Sequence, residues 1–296
     1  MDSTSKNNKI EQYHLHKDQP EKIQFELYSL DEYLKESDSC ANEPHIHSFY
    51  QIIWFTKGKG KHFVDFNEYD FSENTIFFIP KGQIHYFDNS PCDGYVIHFN
   101  ETFLVDDEDE VNIFLKHNIF NSFESEPFFR IPKDRTKELQ HIVDQMEDEI
   151  KYPYKFAHKD FLKHLLNLFL ILIQRSGERN SCRQLSINNP YHILFVKFRQ
   201  SLEANYRRIH TVSEYANLLN ISTKTLTNYT KLVSFQTPLE IINERIILEA
   251  KRLLTHSGLN INEIGFELGF EDPSYFVKFF KRQAKMSPRE FRTIVS

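Results

Sequence analysis

The sequence predicts an α+β chain of two domains, a β-rich N-terminal half followed by an all-helical C-terminal domain. Three observations predict it. Between Ile23 and about Phe103, short aromatic and β-branched runs alternate with turn formers; beyond Asp106 the apolar period lengthens from two to about 3.6 residues; and near the C-terminus one helix–turn–helix pattern occurs twice. A chain of 296 residues with 40% hydrophobic and 15% aromatic content has enough material for two cores.

Residues 1–20 are polar and read as a mobile leader, with no apolar stretch of the secretory kind. The runs FYQIIWFT (49–56), KHFVDF (61–66), TIFFIP (75–80) and YVIHF (95–99) then read as strands. Lys57-Gly58-Lys59-Gly60, Asn67, Ser72-Glu73-Asn74 and Asp88-Asn89-Ser90-Pro91 separate them as turns, which suggests a barrel or sandwich. After the acidic, solvated run Asp106–Glu110, two helices follow over 134–152 and 161–174, the first with Ile142, Met146 and Ile150 on one face. Leu162, Leu165, Leu166, Phe169 and Ile173 make a stripe on the second that is too wide for one side alone, open either to packing on the barrel of the same chain or to a partner subunit. The polar stretch GERNSCRQLSINNP is the linker, so the boundaries are 1–20 leader, 21–176 first domain, 177–190 linker and 191–296 second domain.

Composition excludes several classes. The most apolar segment, Leu162–Ile173, is too short for a membrane span, which needs about 20 residues. Cys40, Cys92 and Cys182 are odd in number and scattered, which fits a reducing, cytoplasmic setting and no disulfide framework. The net charge of −6 is split unevenly: residues 191–296 hold 15 Lys and Arg against 10 Asp and Glu, and the rest of the chain is strongly acidic. A basic domain joined to an acidic one points to a polyanionic partner for the C-terminal domain alone.

In that domain Val212, Tyr215, Ala216 and Leu219 recur as Ile261, Ile264, Gly265 and Leu268, an offset of 49. Asn220 and Gly269 supply the turns, and Ile221 and Phe270 plug the angle behind them. Ser222 and Asp272-Pro273 start the second helix of each unit. One extra residue in the second unit then pairs Leu226 with Phe276. The helices would bury these residues and turn Thr223, Lys224, Thr227, Asn228 and Lys231, or Ser274, Val277, Lys278 and Lys281, outward. That is the pattern of a recognition helix that enters a major groove. LEIINERIILEAKRLL (239–254), with apolar residues at 239, 242, 246, 250 and 253, is a rigid helical spacer of roughly 24 Å.

The stretches ERIILEAKRLL, INEIGFELGFEDPSYFVKFFKR and MSPREFR resemble the DNA-binding domain of the AraC/XylS family of bacterial transcription regulators over about a third of the chain. The departures are Gly265, where the family usually has Ala, and Phe235 and Lys285, where Gly is common. The resemblance implies sequence-specific binding of double-stranded DNA, with Lys281, Arg282, Arg289 and Arg292 on phosphate. Lys224, Thr227, Asn228, Ser274 and Lys278 are then the candidates for base edges.

PHIHSFYQ (44–51) and IPKGQIHYFDN (79–89) resemble the cupin-type sensory barrel of such regulators. The spacing is close to the two metal motifs of cupins, with Gln51 in place of the usual Glu. His45, His47, Gln51, Trp54 and His85 are candidates to line a pocket for a small-molecule effector, with no cofactor implied. Alternatives are a divalent metal on His45, His47 and His85, or a barrel kept for folding and dimerisation. Trp54 fits either a pocket wall or the core. The resemblance further implies a homodimer through the helices around 161–174, RNA polymerase as a partner, and action as an activator. Two competing readings are a metal-dependent cupin enzyme with a DNA-binding appendage and a non-specific architectural DNA binder.

Overall fold

A computed structural model describes residues 11–19, 21–36, 40–104, 126–176 and 190–295. Contacts divide the chain into two compact units that part within the predicted linker, one spanning 11–185 and the other extending from 186 to the C-terminus. The acidic run 106–110 and residues 177–189 of that linker lie outside the described residues.

The first unit holds two five-stranded sheets. One contains β1 (Glu11–Tyr13), β3 (His45–His47), β8 (His85–Phe87), β5 (Gly60–Val64) and β6 (Asn67–Phe71), in that spatial order. The other runs β10 (Phe128–Arg130), β7 (Thr75–Ile79), β4 (Tyr50–Gly58), β9 (Cys92–Phe99) and β2 (Phe25–Ser29). The cupin-like barrel expected from the sequence is thus built as two facing sheets. Period-2 alternation divides the second sheet's side chains between two buried layers. Ile53, Phe55, Phe77, Ile79 and Val96 face the first sheet, where they meet Val64, Phe71 and Phe87. After the short helices α1 (Leu30–Glu36) and α2 (Glu101–Leu104) come α3 (Thr136–Ile150) and α4 (His158–Ser176), which Ile52, Trp54, Ile76, Phe78, Ile97 and Phe99 face.

Several expectations need correction. The leader is not mobile throughout: Glu11–Tyr13 pairs in parallel with His45–His47, and Leu15 is buried. Asn67 is not a turn residue but opens β6; the chain reverses at Asp65-Phe66, with Asp65 at φ 53°. On α3 the buried face is Leu139, Ile142, Val143 and Met146, and Ile150 is exposed. On α4, Leu162, Leu165, Leu166, Phe169 and Ile173 pack onto the sheet of their own chain, so that stripe is not free for a second subunit. Its excess width survives as exposed Phe161, Leu168 and Ile171 on the opposite side.

The second unit is helical throughout its described residues: α5 (Pro190–Asn205), α6 (Val212–Leu218), α7 (Thr223–Ser234), α8 (Pro238–His256), α9 (Ile261–Glu267), α10 (Pro273–Ala284) and α11 (Pro288–Val295). One core joins Phe198, Tyr215, Leu226, Ile242, Ile246, Ile264, Leu268, Phe276 and Phe280. The spacer α8 buries Ile242, Ile246 and Ala250 as predicted, but Leu239 is half exposed. Its buried surface also includes Arg245, Glu249 and Arg252, a charged set that apolar periodicity does not reveal.

Candidate nucleic-acid interface and histidine cluster

The two helix–turn–helix units repeat in detail. Asn220 (φ 55°) and Gly269 (φ 81°) both take the left-handed conformation that turns the chain. The next residue's N–H then donates back across the turn, Ile221 to the Ala216 carbonyl at 3.0 Å and Phe270 to the Gly265 carbonyl at 2.9 Å. At Gly265 an added Cβ would lie 3.2 Å from the Phe276 Cβ, so the alanine common in the family would need Phe276 to give by a few tenths of an ångström. Ser222 caps α7 by accepting from the Thr225 N–H at 3.0 Å, and Asp272 caps α10 by accepting from Ser274 at 2.8 Å. Both helices run for 12 residues and stop at a left-handed residue, Phe235 (φ 60°) and Lys285 (φ 63°). Thr237 with Glu240, and Ser287 with Glu290, then start α8 and α11 with the same reciprocal bonds.

Leu226, Phe276 and Phe280 are fully buried, which fixes the opposite face of each helix outward. Thr223, Lys224, Asn228 and Lys231 are exposed on α7, as are Ser274, Lys278, Lys281 and Arg282 on α10. Three predicted residues sit differently. Thr227 is half-buried and its hydroxyl donates to the Thr223 carbonyl at 2.8 Å, while Val277 is half-buried against the core. Ser274 adds a hydroxyl bond to Asp272 at 2.8 Å, so it is part of the cap as well as of the outer face. Arg289 is exposed on α11. Arg292 is turned inward: its guanidinium donates to the carbonyls of Leu254 and Leu259 at 3.1 and 2.8 Å, which ties α11 to the end of α8 instead of to phosphate. Sequence reasoning also passed over Tyr275. It is 64% exposed at the start of α10, with the Lys278 ammonium 5.6 Å from its ring centre. An aromatic ring two residues after the cap's Pro was the available signal.

In the first unit the sheets bring most of the predicted pocket residues together. His45 and His85 are register partners on adjacent strands, and His47 shares their face. From the other sheet come Gln51 and His98, also register partners. His62 completes the group, its Nε2 3.1 Å from the His85 Nδ1. All six side chains are buried. Burial pushes His62 down to about 3 and holds His47 and His85 well below the ordinary imidazole range, so these rings are neutral near pH 7. Trp54 is not among them: it lies on the opposite face of β4, packed against Phe169 and Tyr95 in the sheet–helix core. His62 and His98 were missed because neither stands in a motif; only strand pairing places them beside the others.

The family model described as an AraC-like ligand binding domain matches residues 37–177, and one described as a helix-turn-helix domain matches residues 215–294. The chain belongs to the AraC family of transcription regulators. Among curated relatives, the HTH-type transcriptional activator RhaS of Escherichia coli (strain K12) is 23% identical over 283 residues, 90% of this chain and 96% of the relative. The DNA-binding domain of AdpA, solved with a target DNA, is 25% identical over 34% of this chain and 90% of that one, with a TM-score of 0.31. ToxT from Vibrio cholerae O395 is 15% identical over 93% of this chain and 99% of that one, with a TM-score of 0.39.

For an AraC-family regulator, the two departures at Phe235 and Lys285 are costly substitutions. Each keeps the left-handed backbone that a glycine would adopt freely, and each does so with a Cβ. The turn is therefore preserved in shape. No helix of the described residues is long and apolar enough to cross a membrane.

Proposed function

We propose that this AraC-family regulator activates transcription by setting α7 and α10 into the major groove at two blocks of one operator, under control of a small molecule held between the sheets of its N-terminal unit. The observation that carries the DNA-reading half is the duplication itself. Two recognition helices of equal length, with identical turn bonds, present Lys224, Asn228 and Lys231, and Lys278, Lys281 and Arg282, to solvent. Asn suits adenine and Lys suits guanine at base edges, while the cations at the helix ends suit phosphate. The activator assignment rests on the name of the relative RhaS.

The exposed residues Phe161, Leu168 and Ile171 support a homodimer formed by the outer side of α4. Such an apolar row on one helix face is more than scattered surface residues require. The regulator acts by binding and has no catalytic step of its own.

Selection of bound sites from a random duplex pool near physiological salt tests this reading. Two motif blocks about one helical turn apart, with the block preferences changed by Lys224→Ala and Lys278→Ala, are expected. Recovery of no motif, with binding that fades steeply as salt rises, would reduce the domain to a non-specific electrostatic binder.

A further inference from the structure

We propose that the cluster between the two sheets is a metal site: His45, His47 and His85 bind one divalent first-row transition ion, with the side-chain oxygen of Gln51 beside them and His62 as a positioning residue. The proposal deepens the sensory reading of this unit by naming what it holds. One ring nitrogen from each of His45, His47 and His85 already lies within 4.8 Å of the others, and no ring is more than 2% exposed. Nitrogens bound about 2.1 Å from one ion are at most about 4.2 Å apart. Small side-chain rotations therefore close the site, with no shift of the strands.

Hydrogen-bond accounting favours a metal over an organic ligand at these atoms. The Nδ1 of His45 lies 2.8 Å from the Glu43 carbonyl, which can only accept. Its proton is therefore on Nδ1, and Nε2 carries the lone pair. His85 has its Nδ1 against the Nε2 of His62, so the same tautomer is open to it, with His62 accepting. The Nε2 of His85 is buried and makes no hydrogen bond, and His47 and Gln51, equally buried, have only each other to turn to. Burying polar atoms without partners is unfavourable, because their bonds to water are lost and not replaced. A cation satisfies several of them at once, whereas one small hydrogen-bonding molecule in so tight a space reaches fewer. Neutral imidazoles with one nitrogen held by an outer acceptor are also how proteins present histidine to metals.

The set is uncharged, since Gln51 stands where a carboxylate would neutralise part of the ion. A bound ion thus keeps its full charge and attracts an anionic or oxygen-donor group as a further ligand, which links the metal to recognition of a small molecule. Imidazole donors fit Zn, Ni, Cu or Fe, and hard-ion sites for Ca or Mg are excluded by the same donors.

The test uses the full chain, stripped with chelator and titrated with zinc sulfate by calorimetry, with cobalt(II) absorption as a second probe. One equivalent bound by the parent and by the exposed-helix control His164→Ala is expected. His47→Ala and His85→Gln should lose at least a hundredfold in affinity. His62→Phe should lose about 10–100-fold, the range for an outer-sphere partner of a ligating histidine. Far-UV circular dichroism of His85→Gln separates lost binding from lost fold, and cobalt spectra of His47→Ala read the site directly. Absence of stoichiometric metal in the folded parent chain would overturn the proposal, as would metal binding that is unchanged in folded His85→Gln. Site selection on DNA is read separately, so its failure and the failure of the metal site are distinguishable.

Discussion

The guanidinium of Arg245 lies over the ring of Tyr206, its carbon 3.7 Å from the ring centre. The same group gives hydrogen bonds to Glu203 at 2.8 Å and to Glu249 at 3.0 Å. Glu249 in turn receives Arg207 at 3.0 Å, and Arg207 reaches Glu267 on α9. One buried carboxylate on the spacer helix therefore binds Arg207, just beyond α5, and through it is tied to α9 of the second helix–turn–helix unit. Replacing Arg245 by Ala should cost on the order of 3 kcal/mol, because it leaves Glu249 with weaker compensation in a dry place. Lys should recover only part of this, since an ammonium cannot stack and fork at once. Chemical denaturation followed by far-UV circular dichroism would measure both.

Acid should loosen the same domain. Burial by itself would raise the Glu249 carboxyl, but Arg245 and Arg252 outweigh it and hold the group below its ordinary value near 4.5. The folded value is thus lower than the unfolded one. The stabilisation is fully present above about pH 4.5 and is lost as pH falls through that value towards the folded one. Denaturation midpoints between about pH 5 and about pH 3 should fall more steeply for the parent chain than for Glu249→Gln. Parallel curves would refute the assignment.

Gly269 and Lys285 both have positive φ, yet substitution there should act in opposite directions. A Cβ at Gly269 would sit 2.1 Å from the Arg207 carbonyl oxygen, at φ 81°. Backbone must therefore move, and Gly269→Ala should destabilise by more than about 2 kcal/mol. Lys285 is exposed and already holds φ 63° with a side chain. Lys285→Gly should stabilise by about 1 kcal/mol by removing that strain. Thermal melts of the two variants against the parent chain decide the matter.

Among the basic residues, a split between binding and folding is expected. Lys281→Ala and Arg282→Ala should weaken DNA binding evenly across sequences and lower the salt slope by about 1 each. Arg292→Ala should lower the melting temperature instead, because its bonds go to the Leu254 and Leu259 carbonyls. Fluorescence anisotropy over a salt series, paired with melts, separates the two effects.

A charge in the exposed row of α4 should disrupt any dimer without unfolding the unit. Leu168→Glu is expected to halve the mass found by light scattering while the sheet–helix core stays folded, since Leu166, Phe169 and Leu170 point the other way. An unchanged mass would move the dimer contact elsewhere.

What was legible in the sequence follows from how local the determinant is. Asn220, Gly269, Ser222 and Asp272 announce turns and caps within a few residues, so both recognition helices and their outer faces could be read directly. His45, His47 and His85 were found because their strands carry recognisable motifs. His62 and His98 were not, because only the pairing of β5 with β8 and of β9 with β4 brings them in. Trp54 stayed open between pocket wall and core for the same kind of reason: a strand buried on both faces has no polar side to mark which way a residue points. The inward turn of Arg292 and the Arg245–Glu249 network were hidden because a buried cation and a solvated one look alike in sequence.

The two recognition helices start at a polar cap, run for equal lengths and end in the same left-handed step. They are therefore interchangeable cartridges in one holder. Outer side chains such as Lys224 and Asn228 can be written onto the positions of Ser274 and Lys278 without touching a core residue. A reader with two identical heads, or with its heads transposed, is then within reach of a handful of surface substitutions.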